Sequence, residues 1–552
     1  MAHGRIKIFT DIYPNGNIEH DKQCIPQILQ DAITYHQENI SAYNKLRSYY
    51  YNETDGIAIS GKVNSARPDK NSKISVPRPM TTVTTINSYC FSQPFKFIGL
   101  TSEKSEVINK LNSALKADDY ATTLMEITLN SAIYGLGYRY IEQASIDNID
   151  GNEYFHSVSV SPFNAFCVYA NTITQEKVLG VTFYPKDIIR VTNGIQTVKS
   201  VTVYNVFTNW HKWEFIYDGN GFENRIYNIP LQNGNNINYL QLEAMPYSFT
   251  YANLDGSERI IPKKMPIPLV EYERKPDRTN DFELTIKLMD AMNILISCSV
   301  DAVEQNTDYI LVFRNIDLGE EDDNGNNPTL QRIKNYLKQG VLAYATNPGA
   351  PDTGAGIDTI KVSINQNEIT SFLEWIEQEL EKSLFVPNRN SSNGGADTNS
   401  SVETRNGFRS LEDIAGIITA NAIKSERDFL RVVLSIASTI PSCPLNELKI
   451  SDIGIKPMRN KIESLINSTQ SFATMINAKV NRQTAYEVSG LVADPNETVA
   501  MDEAERDKDF AKTLDEEVER TKALSEAEPK QENSTTEQII VDEDTADEPK
   551  TE

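Results

Sequence analysis

Hydrophobic spacing in the first quarter of the chain is helical. Side chains that can face a core recur at intervals of four and three, at Leu29, Ile33, His36, Ile40 and Tyr43. This spacing predicts an amphipathic helix over residues 26 to 50 with Pro26 in its first turn. Similar patterns predict helices over 80 to 90 and 107 to 133, and the second should end at glycines that lead into a strand over 138 to 141.

Between residues 153 and 275 the pattern changes to short runs rich in Val, Ile, Tyr, Phe and Thr. Asp218-Gly219 and Asn233-Gly234 separate such runs and are typical hairpin turns. The run from Trp210 to Trp213 reads as an alternating aromatic strand or hairpin. This part of the chain is therefore predicted to be β-rich, with strands between 195 and 260, and to end in an extended segment over 262 to 272.

Helical spacing returns over Thr279 to Gln305, a length of about 40 Å at 1.5 Å per residue. Thr279 and Asn280 are candidate caps. An α/β insert is predicted over 306 to 364. It should contain strands at 309–313, 341–344 and 359–364, a helix at 329–339 and the acidic run Glu320, Glu321, Asp322 and Asp323.

A second long helix is predicted over 368 to 384, ending at Val386-Pro387. A Gly- and Asn-rich loop over 388 to 401 and a third helix over 402 to 436 follow. Two long helices that flank an insert form an antiparallel pair, with the insert at the far tip and the loop at the near end.

The last part of the chain reads as a strand over 448 to 456 and helices over 459 to 490 and 496 to 522. From residue 523 onward the composition is polar and charged with few apolar residues, which predicts disorder.

Composition narrows the class of protein. The chain has 552 residues, 39% of them hydrophobic, and lacks the roughly 18 to 20 consecutive apolar residues of a membrane span. The N-terminus has no apolar signal-peptide core. Five scattered cysteines argue for reduced thiols in a cytoplasmic setting, without a disulfide framework or a zinc cluster.

The formal net charge of −24 is opposite in sign to that of proteins that bind nucleic acid by neutralising phosphates. Residues 501 to 552 hold 19 acids and 7 bases, so 7 − 19 = −12 comes from the tail and about −12 from the remaining 500 residues. Two interpretations are open. The acidic surface either only favours solubility, or it belongs to a protein that contacts DNA without binding it tightly.

Candidate catalytic groups are few. Gly56 to Lys62 has the spacing of a phosphate-binding loop, but Val63 stands where a magnesium-binding Ser or Thr is needed, so a polar flexible loop is the better interpretation. The five histidines never pair at ligand spacing, and no G-x-S-x-G motif occurs. The acids at 320 to 323 read as a solvated loop. The sequence therefore predicts no enzyme activity, no cofactor and no metal.

Several weak motifs in a fixed order resemble one family. They are Asn280-Asp281-Phe282-Glu283 with Leu288-Met289-Asp290-Ala291, Leu380 to Pro387 followed by Ser400 to Thr404, Val480 to Ala485, Val492 to Glu497, Glu503 to Arg506, and Asn87 to Phe97. Together they resemble the portal proteins of tailed bacteriophages, in particular those of long-tailed phages of Gram-positive hosts. The resemblance covers most of residues 26 to 520.

The resemblance implies an α+β portal fold with an α/β wing, a long-helix stem, a small α/β clip and a helical crown. Its segments would be the wing (1–278), first stem helix (279–305), clip (306–364), second stem helix (365–385), tunnel loop (386–401), a wing helix and strand (402–456), crown (457–522) and acidic tail (523–552).

The resemblance also implies a function. The chain would form a homo-oligomeric ring, usually of twelve subunits, at one capsid vertex of the virion, assembled in the host cytoplasm. DNA would pass through it during packaging, retention and ejection. Expected partners are double-stranded DNA, the terminase large subunit, a head-tail adaptor, and the major capsid and scaffolding proteins, without a membrane.

Site residues follow from the same resemblance. The candidates for transient DNA contact, near the tunnel loop, are Lys382, Arg389, Asn390, Asn393, Arg405 and Arg409, although each basic residue could equally be exposed or salt-bridged. Glu320, Glu321, Asp322 and Asp323 would lie on the clip surface that docks the terminase or adaptor. The alternatives are another minor capsid or tail component, a nucleoside-triphosphatase using Gly56 to Lys62, or an acidic DNA mimic.

Overall fold

A computed structural model describes most of the chain, in two compact units divided after Ser464. The described residues are 4–64, 71–100, 104–144, 153–192, 195–233, 236–247, 249–252, 259–307, 310–314, 328, 331–332, 335, 356–360, 366–387, 408–440, 443–459, 465–492 and 495–526.

Both helices and sheets are present, which confirms the predicted α+β class. The helices are α1 (Ile18–Tyr51), α2 (Arg78–Phe91), α3 (Ser105–Ala117), α4 (Tyr120–Tyr134), α5 (Ile286–Thr307), α6 (Gln366–Ser383), α7 (Phe408–Ala437), α8 (Leu465–Asn477), α9 (Arg482–Ser489) and α10 (Pro495–Glu526). The strands of the first half are β1 (Ile8–Thr10), β2 (Lys96–Gly99), β3 (Leu136–Gln143), β4 (Phe155–Val160), β5 (Ala165–Ala170), β6 (Lys177–Thr192), β7 (Ile195–Phe207), β8 (His211–Tyr217) and β9 (Phe222–Asn224). Those that follow are β10 (Tyr227–Asn233), β11 (Asn236–Leu242), β12 (Met245–Pro246), β13 (Phe249–Ala252), β14 (Arg259–Pro262), β15 (Leu269–Glu273), β16 (Ile310–Arg314), β17 (Gly356–Ile360) and β18 (Ile453–Lys456).

The predicted β-rich region is confirmed as the largest sheet of the described residues. Its strand order is β1-β5-β6-β7-β8-β12, with β9 also paired to β8. The β8–β9 hairpin closes at Asp218-Gly219, where Gly219 has a φ of +97°. Asn233 pairs with Asn236 across the second predicted turn, and the aromatic run at 210 to 213 leads into β8 as expected.

Helix α1 begins eight residues before the predicted start. The side chain of Asn17 accepts hydrogen bonds from the backbone N–H groups of Glu19 and His20, which caps the helix there. Pro26 therefore lies inside the helix, and its placement in the first turn is wrong. The burial of Ile25, Ile28 and other α1 side chains against the large sheet outweighs the lost proline N–H.

The single helix predicted over 107 to 133 is also wrong, because the chain breaks between α3 and α4. Asp119 there has a left-handed φ of +49°. The neighbouring Asp118 is buried and accepts hydrogen bonds from the backbone N–H of Ser157 at 2.9 Å and from its hydroxyl at 2.5 Å. A tertiary contact with β4 thus decides the break.

The glycine stop after α4 is confirmed and has two causes. Gly135 has a φ of +86°, and an added Cβ would stand 2.3 Å from the carbonyl oxygen of Arg278. Only glycine fits both conditions. The turn brings β3 directly onto β15, with Tyr138 paired to Glu271.

The largest buried cluster packs α2, α3, α4 and α7 around β2, β3, β4 and β15. Arg139 lies fully buried in this cluster, with its guanidinium carbon 4.2 Å from the ring centre of Phe429. A guanidinium nitrogen of Arg139 stands 3.7 Å from a carboxylate oxygen of Glu426, which is equally buried. Glu426 also accepts a hydrogen bond from the hydroxyl of Tyr272 at 2.8 Å.

The insert is described only in part. β16 pairs antiparallel with β17, whose described residues 356–360 overlap the strand predicted at 359–364, and residues 361–364 lie outside the description. The strand predicted at 341–344, most of the helix predicted at 329–339 and the tunnel loop at 388–401 lie outside the described residues.

The boundaries of other elements also differ from their predictions. The predicted strand at 448–456 is reduced to β18, preceded by two 3-10 turns, and β18 pairs with β2. α6 matches its prediction within two residues, and α7 is described from Phe408 onward.

The second unit, considered by itself, contains α8, α9 and α10. The helix predicted over 459 to 490 is described from 465 as two helices, α8 and α9. The rings of Phe472 and Tyr486 stack with centres 4.4 Å apart, and both Arg482 and the Tyr486 hydroxyl contact the carboxylate of Asp502 at 3.2 Å. α10 continues to Glu526, so the expectation of disorder from residue 523 is wrong for its first four residues, and 527–552 lie outside the description.

One buried histidine makes stability depend on pH. His36 on α1 stacks near Phe166, with ring centres 4.8 Å apart, and burial lowers its pKa from 6.5 to about 4. The unfolded chain therefore binds the proton more readily between these values, and stability falls as the pH drops through that window. We expect the wild type to lose on the order of 3 kcal/mol more than His36→Met between pH 6.5 and 4, measured by denaturant unfolding. If the free energy of unfolding changed with pH in the same way in both proteins, His36 would not be the source of this pH dependence.

Candidate stem and channel region

The first long helix of the predicted pair is anchored by a buried ion pair just before it begins. Arg274 donates to both carboxylate oxygens of Asp281, at 2.9 and 2.6 Å, and both side chains are 0% exposed. A third guanidinium nitrogen donates to the side-chain oxygen of Asn87 on α2 at 3.0 Å. The ion pair therefore ties the entry to the helix to the body of the unit.

The helix starts at Ile286, seven residues later than predicted, after a 3-10 turn over Glu283–Thr285. Asn280 is not the cap of α5 as predicted; it precedes this turn, and its side-chain oxygen accepts hydrogen bonds from the backbone N–H groups of Phe282 and Glu283. Thr279 instead donates its hydroxyl proton to Asp277.

Further buried charges surround the same turn. Arg278 forms an ion pair with Glu271 and a second with Glu273 at 2.9 Å. Arg5 forms an ion pair with Glu283. Burial of the Arg278 guanidinium acts to lower its pKa. The negative charges of Glu271 and Glu273 outweigh this effect, so the pKa of Arg278 is held above its usual value. The turn that positions the helix is thus held from three sides.

A row of polar side chains on α5 binds an extended segment over residues 72 to 76. Asn293, Ser297 and Asp301 follow one another four residues apart on one buried face of the helix. Their side-chain oxygens accept the N–H groups of Val76 at 3.0 Å, Ile74 at 2.9 Å and Ser72 at 2.7 Å, respectively.

Alternate backbone amides of the segment, at residues 72, 74 and 76, thereby meet successive turns of the helix. We call this arrangement the polar ladder. It was not predicted from the sequence, although polar residues recur at 293, 297 and 301 with helical spacing among apolar neighbours.

Lys62, the lysine of the apparent phosphate-binding motif, belongs to the polar ladder as well. Its ammonium group forms an ion pair with Asp301 and donates to the Ser72 carbonyl at 3.0 Å. The segment forms two 3-10 turns, with Ile57 buried between them and Ile59 buried in the second, so the interpretation as a polar flexible loop is wrong. Its glycines are not arranged around a phosphate, because Gly56 packs against the side chain of Ser48.

α6 packs along α5 through one apolar face. Ile376, Leu380 and Leu384 are buried in a cluster that includes Met289 and Met292 of α5. Arg78 at the start of α2 forms an ion pair with Glu377, which ties α6 to the body. The helix ends at Ser383, and the chain turns at Phe385, which has a φ of +58°, just before Val386-Pro387.

α6 also carries an exposed aromatic pair beside its buried face. The rings of Phe372 and Trp375 stack with centres 5.6 Å apart, and each residue is 52% exposed. Ile294 on α5 is 41% exposed. Large apolar side chains that are half exposed on neighbouring helices are typical of a surface that is covered in an assembly.

The described surface of the helix pair is acidic. α6 contains the acids Glu368, Glu374, Glu377, Glu379 and Glu381 against one base, Lys382. On α5, Asp290 accepts a hydrogen bond from the hydroxyl of Tyr49, and burial raises the pKa of this aspartate.

Only part of the predicted DNA-contact set is described. Lys382 is exposed and forms a surface ion pair with Glu379 at 2.7 Å, and Arg409 is exposed in the first turn of α7. The remaining members lie outside the described residues: Arg389, Asn390, Asn393 and Arg405. The clip acids, Glu320, Glu321, Asp322 and Asp323, also lie outside them.

Two further observations concern the whole chain. Among the described helices none is long and apolar enough to cross a membrane. The five cysteines are free thiols, four of them buried and Cys298 exposed, in line with the prediction of reduced cysteines.

Comparison with known proteins identifies the chain's relatives. A family model described as "Phage portal protein, SPP1 Gp6-like" matches residues 29–528. No curated protein sequence matches the chain. Among solved structures, a chain of "Neck of empty GTA particle computed with C6 symmetry" is 12% identical, with 78% of this chain and 95% of that chain covered and a TM-score of 0.35. A TM-score at that level supports no structural argument.

Proposed function

This chain belongs to the SPP1 Gp6-like family of phage portal proteins, and from that premise we propose how its parts build a DNA channel at the capsid vertex. Portal proteins are structural components of the virion that assemble as homo-oligomeric rings. We propose a ring of twelve subunits in which α5 and α6 form the stem, the insert the clip, residues 388 to 401 the tunnel loop, and α8 to α10 the crown.

The observation that carries the proposal is the anchoring of the helix pair. Buried ion pairs at Arg274 and Arg278 and the polar ladder along α5 hold the pair to the body. A stem has to keep its direction while DNA is driven past it, and buried, hydrogen-bonded charges give a unique geometry at the root of the pair.

Charge supports a passive role for the channel wall. Each phosphate that a protein neutralises adds affinity and salt dependence, so a basic wall would hold DNA at many points. The acidic surface of α6 favours sliding instead. We propose that transient contacts come from Lys382, Arg389, Asn390, Asn393, Arg405 and Arg409. Lys382 can serve when it leaves its exposed partner Glu379, a separation that costs little in water.

The partners follow from the proposed position in the particle. We propose that the terminase large subunit, and afterwards the head-tail adaptor, dock on the clip through Glu320, Glu321, Asp322 and Asp323. The major capsid and scaffolding proteins would contact the wing during assembly in the host cytoplasm. ATP hydrolysis would belong to the terminase, because Lys62 is committed to Asp301.

The exposed aromatic pair gives a test of the ring. We expect Phe372→Ser with Trp375→Ser to shift the purified protein from rings toward monomers. The reason is that an apolar surface which should pack on the neighbouring subunit's stem becomes polar. Negative-stain imaging and sedimentation velocity would count rings and subunits in both proteins.

The matched control is Ile173→Ser, which also removes a fully exposed apolar side chain but lies in a turn before β6. It should form rings like the wild type. If the double variant formed normal rings, α6 would not lie in the subunit interface. A wild type without any closed ring would contradict the channel itself.

The tunnel loop can be tested without disturbing assembly. Deleting residues 390 to 397 should leave rings intact but lower the yield of DNA-filled heads at least about tenfold, because the proposed contacts with DNA are lost. Filled and empty heads are separated by density centrifugation. As a control, shortening the turn at Asp218-Gly219 of the β8–β9 hairpin should leave packaging unchanged. Normal yields of filled heads from the loop deletion would contradict the role proposed for the tunnel loop.

A further inference from the structure

The first two turns of α1 hold three side chains with metal-binding atoms. His20, Asp21 and Cys24 each offer one such atom, and these atoms lie within 4.8 Å of one another. They were not predicted from the sequence, because none of the five histidines has a second histidine at ligand spacing. The i, i+4 spacing of His20 and Cys24 places their side chains on the same face of the helix.

The distances among these atoms suit one small cation. Nδ1 of His20 is 3.2 Å from a carboxylate oxygen of Asp21 and 3.9 Å from the sulfur of Cys24. Around a tetrahedral zinc ion, with bonds of about 2.0 Å to nitrogen or oxygen and about 2.3 Å to sulfur, neighbouring ligand atoms are about 3.3 to 3.6 Å apart. Shifts of a few tenths of an ångström would bring the His20 nitrogen to these distances from both partners, and the Asp21 oxygen and the Cys24 sulfur lie within 4.8 Å of each other.

Asp21 is already oriented for such a role. Its side chain is 0% exposed, and its two oxygens accept the backbone N–H groups of Asn15 at 2.9 Å and Gly16 at 3.0 Å. Each carboxylate oxygen keeps a further lone pair. Among the described residues its ion-pair partner is His20, which is 47% exposed and is charged only when protonated. A buried carboxylate with so weak a countercharge is a favourable place for a cation.

A second observation comes from the strand beside this turn. His211 is 3% exposed, and its Nδ1 is buried with no hydrogen-bond partner. The preceding residue, Trp210, packs its ring on Gly16, so the strand lies against the loop that holds Asp21. A hydrated ion at Asp21 would give the free nitrogen of His211 the polar partner that it lacks.

We propose that His20, Asp21 and Cys24 form a zinc site, with a water molecule as the fourth ligand. A thiolate, an imidazole and a carboxylate together favour Zn²⁺ over the harder Mg²⁺ and Ca²⁺. On binding, the Cys24 thiol gives up its proton to solvent and the sulfur forms the bond to zinc. No change of oxidation state is involved.

The site would fasten the start of α1. Residues 15 to 24 lie where the N-terminal segment turns onto the large sheet, and Lys22 already contacts Glu243 at 2.6 Å. An ion bound only by the folded protein stabilises it by mass action. The inference is independent of the portal role, since a chain without zinc could still form rings.

The experiment uses the full chain, stripped with a chelator under reducing conditions and then titrated with Co²⁺ and Zn²⁺. We expect one metal per chain and a thiolate-to-cobalt charge-transfer absorption that zinc removes. Cys24→Ser should abolish that absorption, and His20→Ala should weaken affinity at least about tenfold. His20 is half exposed, so its variant should fold, as circular dichroism would check.

Cys298→Ser is the matched control, because Cys298 is the exposed thiol and lies on α5. It should keep both the stoichiometry and the absorption. Absence of the thiolate band in the wild type, or equal binding by Cys24→Ser, would overturn the proposal and leave Asp21 as a residue that only orders the loop at 15 and 16.

Discussion

Arg274→Ala is expected to lower the free energy of unfolding of the main unit by about 3 to 5 kcal/mol. The substitution leaves the carboxylate of Asp281 fully buried without its countercharge, and the side chain of Asn87 without its donor. The Coulomb attraction of such a pair mainly offsets desolvation, so the loss arises from the charge that stays behind. Because this pair stands at the entry to α5, the stem should also lose its fixed direction.

Denaturant unfolding of the separated subunits, with limited proteolysis around residues 274 to 286, would measure both effects. Arg431→Ala is the matched control, since Arg431 pairs with Asp428 on the surface with the two side chains 55% and 45% exposed. It should cost less than about 1 kcal/mol. Equal losses in the two variants would show that burial of the Arg274 pair carries no special weight.

The second large effect is expected in the core. Glu426→Gln should destabilise the main unit by about 3 kcal/mol or more, because Arg139 becomes a buried cation without its ion-pair partner. Glutamine has nearly the same shape and still accepts the hydrogen bond from Tyr272. The substitution therefore removes charge and little else. Phe429, stacked under the guanidinium, cannot replace a carboxylate.

A double variant separates charge from packing. Adding Arg139→Met to Glu426→Gln should restore most of the lost stability, since an apolar side chain of similar length then fills the aromatic surroundings. Glu106→Gln, which breaks an exposed pair with Lys110, is the surface control and should be nearly neutral. If the double variant is less stable than the single one, the pair has a structural role beyond neutralisation, and the expectation is wrong.

Local patterns predicted much of the secondary structure. The hairpin signals at 218–219 and 233–234, the glycine stop at 135 and the helix over 366–383 agree with the structure. Each depends on short-range physics: a left-handed φ, a turn dipeptide, or one apolar face repeated at helical spacing. The family, too, was accessible from the order of weak motifs.

Predictions failed where distant residues decided the outcome. The break between α3 and α4 depends on Ser157, which lies some forty positions beyond Asp118. Lys62 resembled a phosphate ligand because nothing near it in sequence reveals Asp301. The helix start at 286 follows from the ion pairs of the preceding turn, which bring together residues from the N-terminus, α2 and β15.

The sequence by itself determined the α+β class, the order of β-rich region, helix, insert and helix, and the acidic balance, because these depend on local periodicity and on composition. Only the tertiary structure decided which charges are buried together, which polar residues of α5 hold the extended segment at 72 to 76, and which aromatic side chains of α6 stay uncovered. Those properties arise when residues far apart in the chain share a dry environment, where an unpaired charge or amide is costly and a partner must be supplied.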